Sequence, residues 1–202
     1  MGSGRFTWGK AARKSIRWVR NARNRRVSVD DFVPLVALAK GSRGIDLGSG
    51  PHPKNFFGVE NFFGVDIFPN PEKGVLAADL TLAAIPAESG SLDFLSAFDF
   101  VEHVPRWERL DGQVRFPFIE LMDEIHRTLK PGGYFFSRTP AFPAPEAFRD
   151  PTHINIITEE TFPKYFCGPR WASKYGFQGR FNVVRQGWSG GHLLTLLQKP
   201  TL

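Results

Sequence analysis

At 202 residues, 42% of them hydrophobic and 14% aromatic against 23% charged, the chain has the size and apolar content of one domain with a single core, which excludes a disordered or collagen-like chain and two large domains. It has no apolar run long enough to cross a bilayer. Cys167 is the lone cysteine, so an intrachain disulfide and a multi-cysteine metal cluster are both excluded and a reducing, cytoplasmic compartment is expected. The formal charge of +6 is uneven. Residues 1–29 hold Arg5, Lys10, Arg13, Lys14, Arg17, Arg20, Arg23, Arg25 and Arg26 and no acid, which leaves the remainder mildly acidic.

The expected organisation is therefore a basic N-terminal arm over 1–29 and a single domain over 30–202. Within the arm, Ala11 to Ala22 has helical spacing that gathers Ala11, Ala12, Ile16 and Val19 opposite the basic side chains. Such a helix suits an anionic membrane surface, giving peripheral attachment, or nucleic acid. A solvated tail, a helix packed on its own domain by Trp18 and an organellar transit segment are equally open. Further along, Asp31 to Ala39 is predicted as a short helix ending near Gly41. Strands are then predicted at Gly44–Leu47, Phe62–Ile67, Val75–Leu80 and Leu92–Phe98, mostly continuous apolar runs with acids at their carboxyl ends, the pattern of a parallel sheet covered on both faces. A helix is predicted over 116–129, with Phe118, Leu121, Met122 and Ile125 on one side and Lys130-Pro131-Gly132-Gly133 as its stop. A fifth strand follows at Tyr134–Ser137. Phe181–Arg185 and His192–Leu197 complete seven strands, and the turn over 187–191 makes the last one an antiparallel return. The fold class is α/β: a Rossmann-like, mostly parallel seven-stranded sheet with helices on both faces.

Gly48-Ser49-Gly50 after the first strand lets a ligand approach the backbone. Asp66, twenty residues after Asp46 and at the end of the second strand, is placed to accept both hydroxyls of a ribose. Pro51-His52-Pro53 stands where a dinucleotide site would need a third glycine, so a diphosphate ligand is disfavoured.

These residues carry a resemblance to class I S-adenosylmethionine-dependent methyltransferases of the type 11-like group, extending over about 42–199. Ile45-Asp46-Leu47-Gly48-Ser49-Gly50 resembles their first motif, Gly64-Val65-Asp66-Ile67 their ribose-binding acid, and Ala78-Asp79-Leu80 their adenine-flanking acid. The fourth-strand block (85–93 and 98–104) and Leu129-Lys130-Pro131-Gly132-Gly133 follow in the family's order. The resemblance implies S-adenosylmethionine as cofactor. Gly48 and Gly50 would border its methionine part with Asp46, Ser49 and the block around Phe98, Asp66 with Ile67 would lie at the ribose, and Asp79 with Leu80 at adenine.

Methyl transfer to a hydroxyl needs an aligned acceptor and help with proton removal, and histidine suits the second task. Two histidines stand in informative places. His103 follows Glu102 just past the fourth strand. His153 lies in Arg149-Asp150-Pro151-Thr152-His153-Ile154-Asn155, within an insert of about 141–178 that resembles the substrate-covering segment of small-molecule and glycan-tailoring methyltransferases. His153, His103 and Asp150 are the catalytic candidates, set against a reading in which Asp150 merely orders the loop around His153. No metal is expected. The fallback ligand set is Asp99, Glu102 and His103, which resembles the acidic-His site of ubiquinone-pathway O-methyltransferases with Asp99 in place of Glu.

The expected activity is methyl transfer to a small-molecule or glycan hydroxyl. An RNA methyltransferase using the basic arm is the alternative, weakened because the sequence lacks the Asn/Asp-Pro-Pro-aromatic stretch of base N-methylation and a second cysteine for base C-methylation. A non-catalytic adaptor conflicts with the intact Gly48, Gly50 and Asp66. A nicotinamide oxidoreductase conflicts with the missing glycine and the C-terminal hairpin.

Overall fold

The computed structural model describes residues 26–201. The helix expected at 11–22 lies outside the described residues, as does nearly all of the basic arm. Twelve regular elements position the site: β1 (Arg43–Leu47), β2 (Asn61–Asp66), β3 (Val75–Ala77), β4 (Leu92–Phe98), β5 (Glu108–Leu110), β6 (Gln113–Arg115), α1 (Pro117–Thr128), β7 (Leu129–Pro140), α2 (Glu146–Arg149), α3 (Thr161–Tyr165), β8 (Asn182–Ser189) and β9 (His192–Gln198). Seven strands make one sheet in the order β3-β2-β1-β4-β7-β9-β8. Neighbours from β3 through β7 run parallel, and β9 runs antiparallel to both β7 and β8.

The two-residue period of the strands sends successive side chains to opposite faces. On one face Leu95 and Ala97 of β4 and Phe135 of β7 pack with Leu121, Met122 and Ile125 of α1 and with Phe162, Phe166 and Phe177 of the insert. On the other, Phe94 and Phe98 of β4 and Phe136 of β7 pack with Phe32, Phe57 and Leu196. Phe136 is ringed by Phe32, Phe57 and Phe98 at centroid separations of 5.4, 5.0 and 5.4 Å, and burial of each such ring stabilises by about 2–3 kcal/mol.

Three expectations are revised. Residues 31–39 form no α-helix: two short 3-10 turns, Val29–Asp31 and Val33–Leu35, stand there, and the backbone turns extended at Val36, at φ −106° and ψ 109°. β3 stops at Ala77, and Asp79 instead ties a turn by accepting from the Thr81 N–H and hydroxyl at 2.9 and 2.7 Å. The β5–β6 hairpin is additional, with Asp111 and Gly112 at φ 50° and 78° in its turn. In the insert, Ala141 bridges Ile157, so the loop carrying Asp150 and His153 leaves and rejoins the sheet at one place. Among the described residues no helix is long and apolar enough to cross a membrane.

Candidate active site

The strand order reverses between β1 and β4, the place where open parallel sheets bind ligands beyond their carboxyl ends. A cleft of about 400 Å³ lies there, lined by Gly48, Asp66, Ile67, Asp79, Leu80, Asp99, Phe100 and His103 among others. Asp66 is the hub. Its Oδ2 accepts from the Gly50 N–H at 2.9 Å and its Oδ1 from the Phe68 N–H at 3.0 Å, so the glycine turn and the β2 end are held to one carboxylate that keeps a lone pair on each oxygen for a ribose diol. Ile67, Ala78 and Leu80 give the cleft apolar sides, and the volume is in the range of small-molecule sites. An adenosine group fits this donor and wall set.

Three candidate cofactor residues lie elsewhere. Asp46 is fully buried, where its Oδ2 accepts from the Lys54 N–H and its Oδ1 from the Ser96 hydroxyl, both at 2.8 Å. It organises the turn from beneath. Ser49 is buried against Gly64, where an added Cβ would meet its Oγ at 2.3 Å. Phe98 points to the opposite face, packed on Phe56 and Phe136, as the β4 alternation with Phe94 demands. The ring that does reach the cleft is Phe100. It lies so close to Gly48, at φ +60°, that a Cβ there would be 2.1 Å from it. Gly48 is thus required by a neighbouring ring as well as by any ligand, and Gly50, at φ +62°, opens onto free space.

Burial pushes the Asp46 carboxyl up to about 6, against the bonds from Lys54 and Ser96 that favour its charge. The native state therefore holds a proton that the unfolded chain releases near 3.8. Stability from this group is full below pH 4, falls on the order of 3 kcal/mol as pH rises to about 6, and is level above. Asp46→Asn, with its amide turned to Ser96, is expected to flatten that slope in urea midpoints measured across the interval. An unchanged slope would assign it to another group.

The second half of the site is a polar cleft of about 460 Å³ lined by Asp99, Glu102, Glu146, Arg149, Asp150, His153 and His192. Asp99 borders both clefts and sits at φ 54°. It is paired with Arg138 of β7 and lies 3.2 Å from the His192 Nε2 at the start of β9. Burial opposes its ionisation, yet the His192 bond and the Arg138 charge outweigh that and hold its carboxyl below the usual range. Glu102 is 1% exposed. Its Oε2 accepts from the Thr139 hydroxyl at 2.7 Å, whereas Oε1 has no partner, and burial pushes the carboxyl up to about 7.

His103 and His153 meet edge to face with ring centroids 5.0 Å apart. The His103 Nδ1 lies 3.2 Å from the Thr152 carbonyl and the His153 Nδ1 lies 3.1 Å from the Glu146 carbonyl. A carbonyl only accepts, so in the neutral form of each ring the proton sits on Nδ1 and the lone pair on Nε2; the Thr152 hydroxyl, 3.1 Å from the His103 Nδ1, gives its own proton to Asp150 and is compatible with that tautomer. Asp150 accepts from the Thr152 hydroxyl at 2.6 Å and N–H at 2.8 Å, bonds that lower its own carboxyl. Its Oδ2 lies 3.9 Å from the His153 Nε2. Asp150 thus both shapes the loop and faces His153. The set Asp99, Glu102 and His103 is not assembled as a ligand group, since Asp99 is committed to Arg138 and His192. Glu102, His103 and His153 converge instead, with one ligating atom from each within 4.8 Å of the others.

Asn155 is the positioning residue that motif reading passed over. It is 1% exposed, its N–H donates to the Glu102 carbonyl and its Nδ2 to the Val101 carbonyl, both at 2.9 Å, and its Oδ1 accepts from Arg106 Nε at 2.9 Å. This clamp brings the insert loop onto the segment after β4. Its only sequence signal is an amide two residues past His153.

A family model described as a methyltransferase domain matches residues 21–177, more than half of the chain. The chain belongs to the methyltransferase-domain family. The methyltransferase is S-adenosylmethionine-dependent, and the cofactor cleft described above has the walls and acids such a ligand requires. Solved structures agree on the fold. A SAM-dependent methyltransferase from Archaeoglobus fulgidus is 16% identical with a TM-score of 0.56, covering 85% of this chain and 91% of its own. One from Aquifex aeolicus is 14% identical with a TM-score of 0.55, covering 92% and 96%. The [4+2]-cyclase SpnF is 15% identical with a TM-score of 0.54, covering 100% and 85%. No curated protein matches the sequence.

Proposed function

We propose that the methyltransferase moves a methyl group to a hydroxyl of a polar small-molecule or glycan acceptor lying in the cleft beside Glu102, His103 and His153. The observation that carries this reading is the meeting of the cofactor and polar clefts at Asp99, where an imidazole lone pair is held ready at His153. S-adenosylmethionine supplies an electrophilic methyl carbon on a sulfonium that leaves as the neutral thioether. The chain's own work is alignment and proton handling. Asp66 fixes the ribose end and Phe100 with Gly48 shapes the floor. His153 takes the hydroxyl proton on Nε2, its Nδ1–H braced by the Glu146 carbonyl, and the Asp150 carboxylate stabilises the resulting imidazolium. Four acids, Asp99, Glu102, Glu146 and Asp150, line the polar cleft against Arg149, an environment that repels a polyanion and favours hydroxyl-rich acceptors.

Incubation of the protein with methyl-labelled cofactor and a fractionated extract tests this directly. The label is expected in a low-molecular-weight or glycan product as a base-stable methyl ether. Label confined to RNA, to protein or to an amine would overturn the reading.

A further inference from the structure

We propose that Glu102, His103 and His153 form a binding site for one first-row divalent transition-metal ion of the Mn²⁺, Fe²⁺ or Zn²⁺ class. Three features converge on it. The three side chains come from two segments joined by the Asn155 clamp, and their ligating atoms lie within 4.8 Å of one another. Around a shared ion bound at ~2.1 Å such atoms stand ~3–3.5 Å apart, so the side chains draw in by about 1 Å on binding.

Both imidazoles are prepared as ligands. A metal-binding histidine almost always donates its other N–H to a carbonyl or carboxylate, which sets the tautomer and orients the ring. His103 does this to the Thr152 carbonyl and His153 to the Glu146 carbonyl. The carboxylate is prepared in the same way: the Thr139 hydroxyl holds Glu102 Oε2, and the buried Oε1 is left without a partner. A buried acceptor without a donor is otherwise costly.

Two imidazoles and one carboxylate select borderline transition ions over Mg²⁺ and Ca²⁺, which prefer all-oxygen shells. Three protein ligands leave further positions open toward the polar cleft. An ion there can hold an acceptor oxygen, a role that rests on the proposed hydroxyl methylation and would replace the His153 lone pair in handling that group. The existence of the site does not rest on that reading.

The full chain, stripped with a chelator, is titrated with Co²⁺ followed by visible absorption and with Mn²⁺ and Zn²⁺ by calorimetry. The expected result is one ion per chain, with Co²⁺ bands of a nitrogen-containing site. His153→Ala and Glu102→Gln are each expected to weaken the ion at least ~100-fold, beyond what loss of a supporting residue costs, while S-adenosylhomocysteine binding persists. His52→Ala, at an exposed position away from the site, should leave the affinity as it was. Absence of saturable one-to-one binding overturns the proposal, as does wild-type Co²⁺ affinity in a variant that still binds S-adenosylhomocysteine. Should His153→Ala lose that nucleoside too, Glu102→Gln and His153→Gln carry the same comparison. A labelled methyl group found outside hydroxyls would sink the acceptor reading and leave the ion result standing.

Discussion

Asp66→Ala is expected to weaken S-adenosylhomocysteine binding by roughly 100-fold or more in calorimetry, because two hydrogen bonds from a ribose diol to a charged carboxylate are lost at about 1.5–3 kcal/mol each. The same carboxylate also holds the Gly50 and Phe68 N–H groups, so the truncation loosens the glycine turn as well. Asp66→Asn is the milder change. Its carbonyl can keep the Gly50 N–H, while its amide, set against the Phe68 N–H, gives up the charge and one acceptor, and the loss is expected to be nearer 10-fold. Equal losses in both variants would place the effect in the charge and the Oδ1 acceptor rather than in the hold on Gly50. Unchanged binding in Asp66→Ala would remove this residue from the cofactor site.

The second large effect is expected at His153. Once an acceptor is in hand, His153→Ala should lower turnover by about 10²–10⁴, the range for loss of a positioned proton acceptor, with S-adenosylhomocysteine affinity unchanged because His153 lines only the polar cleft. The split matters more than the size. A parallel loss of cofactor binding would show that the 103–153 contact merely holds the fold, and full turnover would take His153 out of the mechanism.

Much of this was legible in the residues, for identifiable reasons. β1 and β4 are buried and mostly apolar, and β2 carries the apolar run Phe62 to Val65, so all three stand out from any polar loop. Asp66 and Asp79 are legible because acids that close apolar runs interrupt them sharply in the sequence. The β5–β6 hairpin went unread because its strands are three residues long and largely exposed, although Asp111-Gly112 is a strong turn signal. The family resemblance puts the block around Phe98 at the cofactor, whereas the pleat turns that ring to the far face and gives the cleft to Phe100. The pairing of His103 with His153 was out of reach altogether. It depends on Asn155 and on the Ala141–Ile157 bridge, long-range contacts that leave no periodic trace.

The Asp99 cluster has a consequence for how this protein becomes competent. Its partners come from β7 and from His192, the first residue of β9, and β9 is threaded between β7 and β8 although it follows both in the chain. The cofactor half of the site draws on residues no later than Val104, but the acceptor half is complete only after a late strand has inserted into the interior of the sheet. Such distant pairings close slowly because chain entropy is lost before contacts repay it. A refolding chain should therefore regain nucleoside binding before it regains turnover, with the interval set by docking of the β8–β9 hairpin.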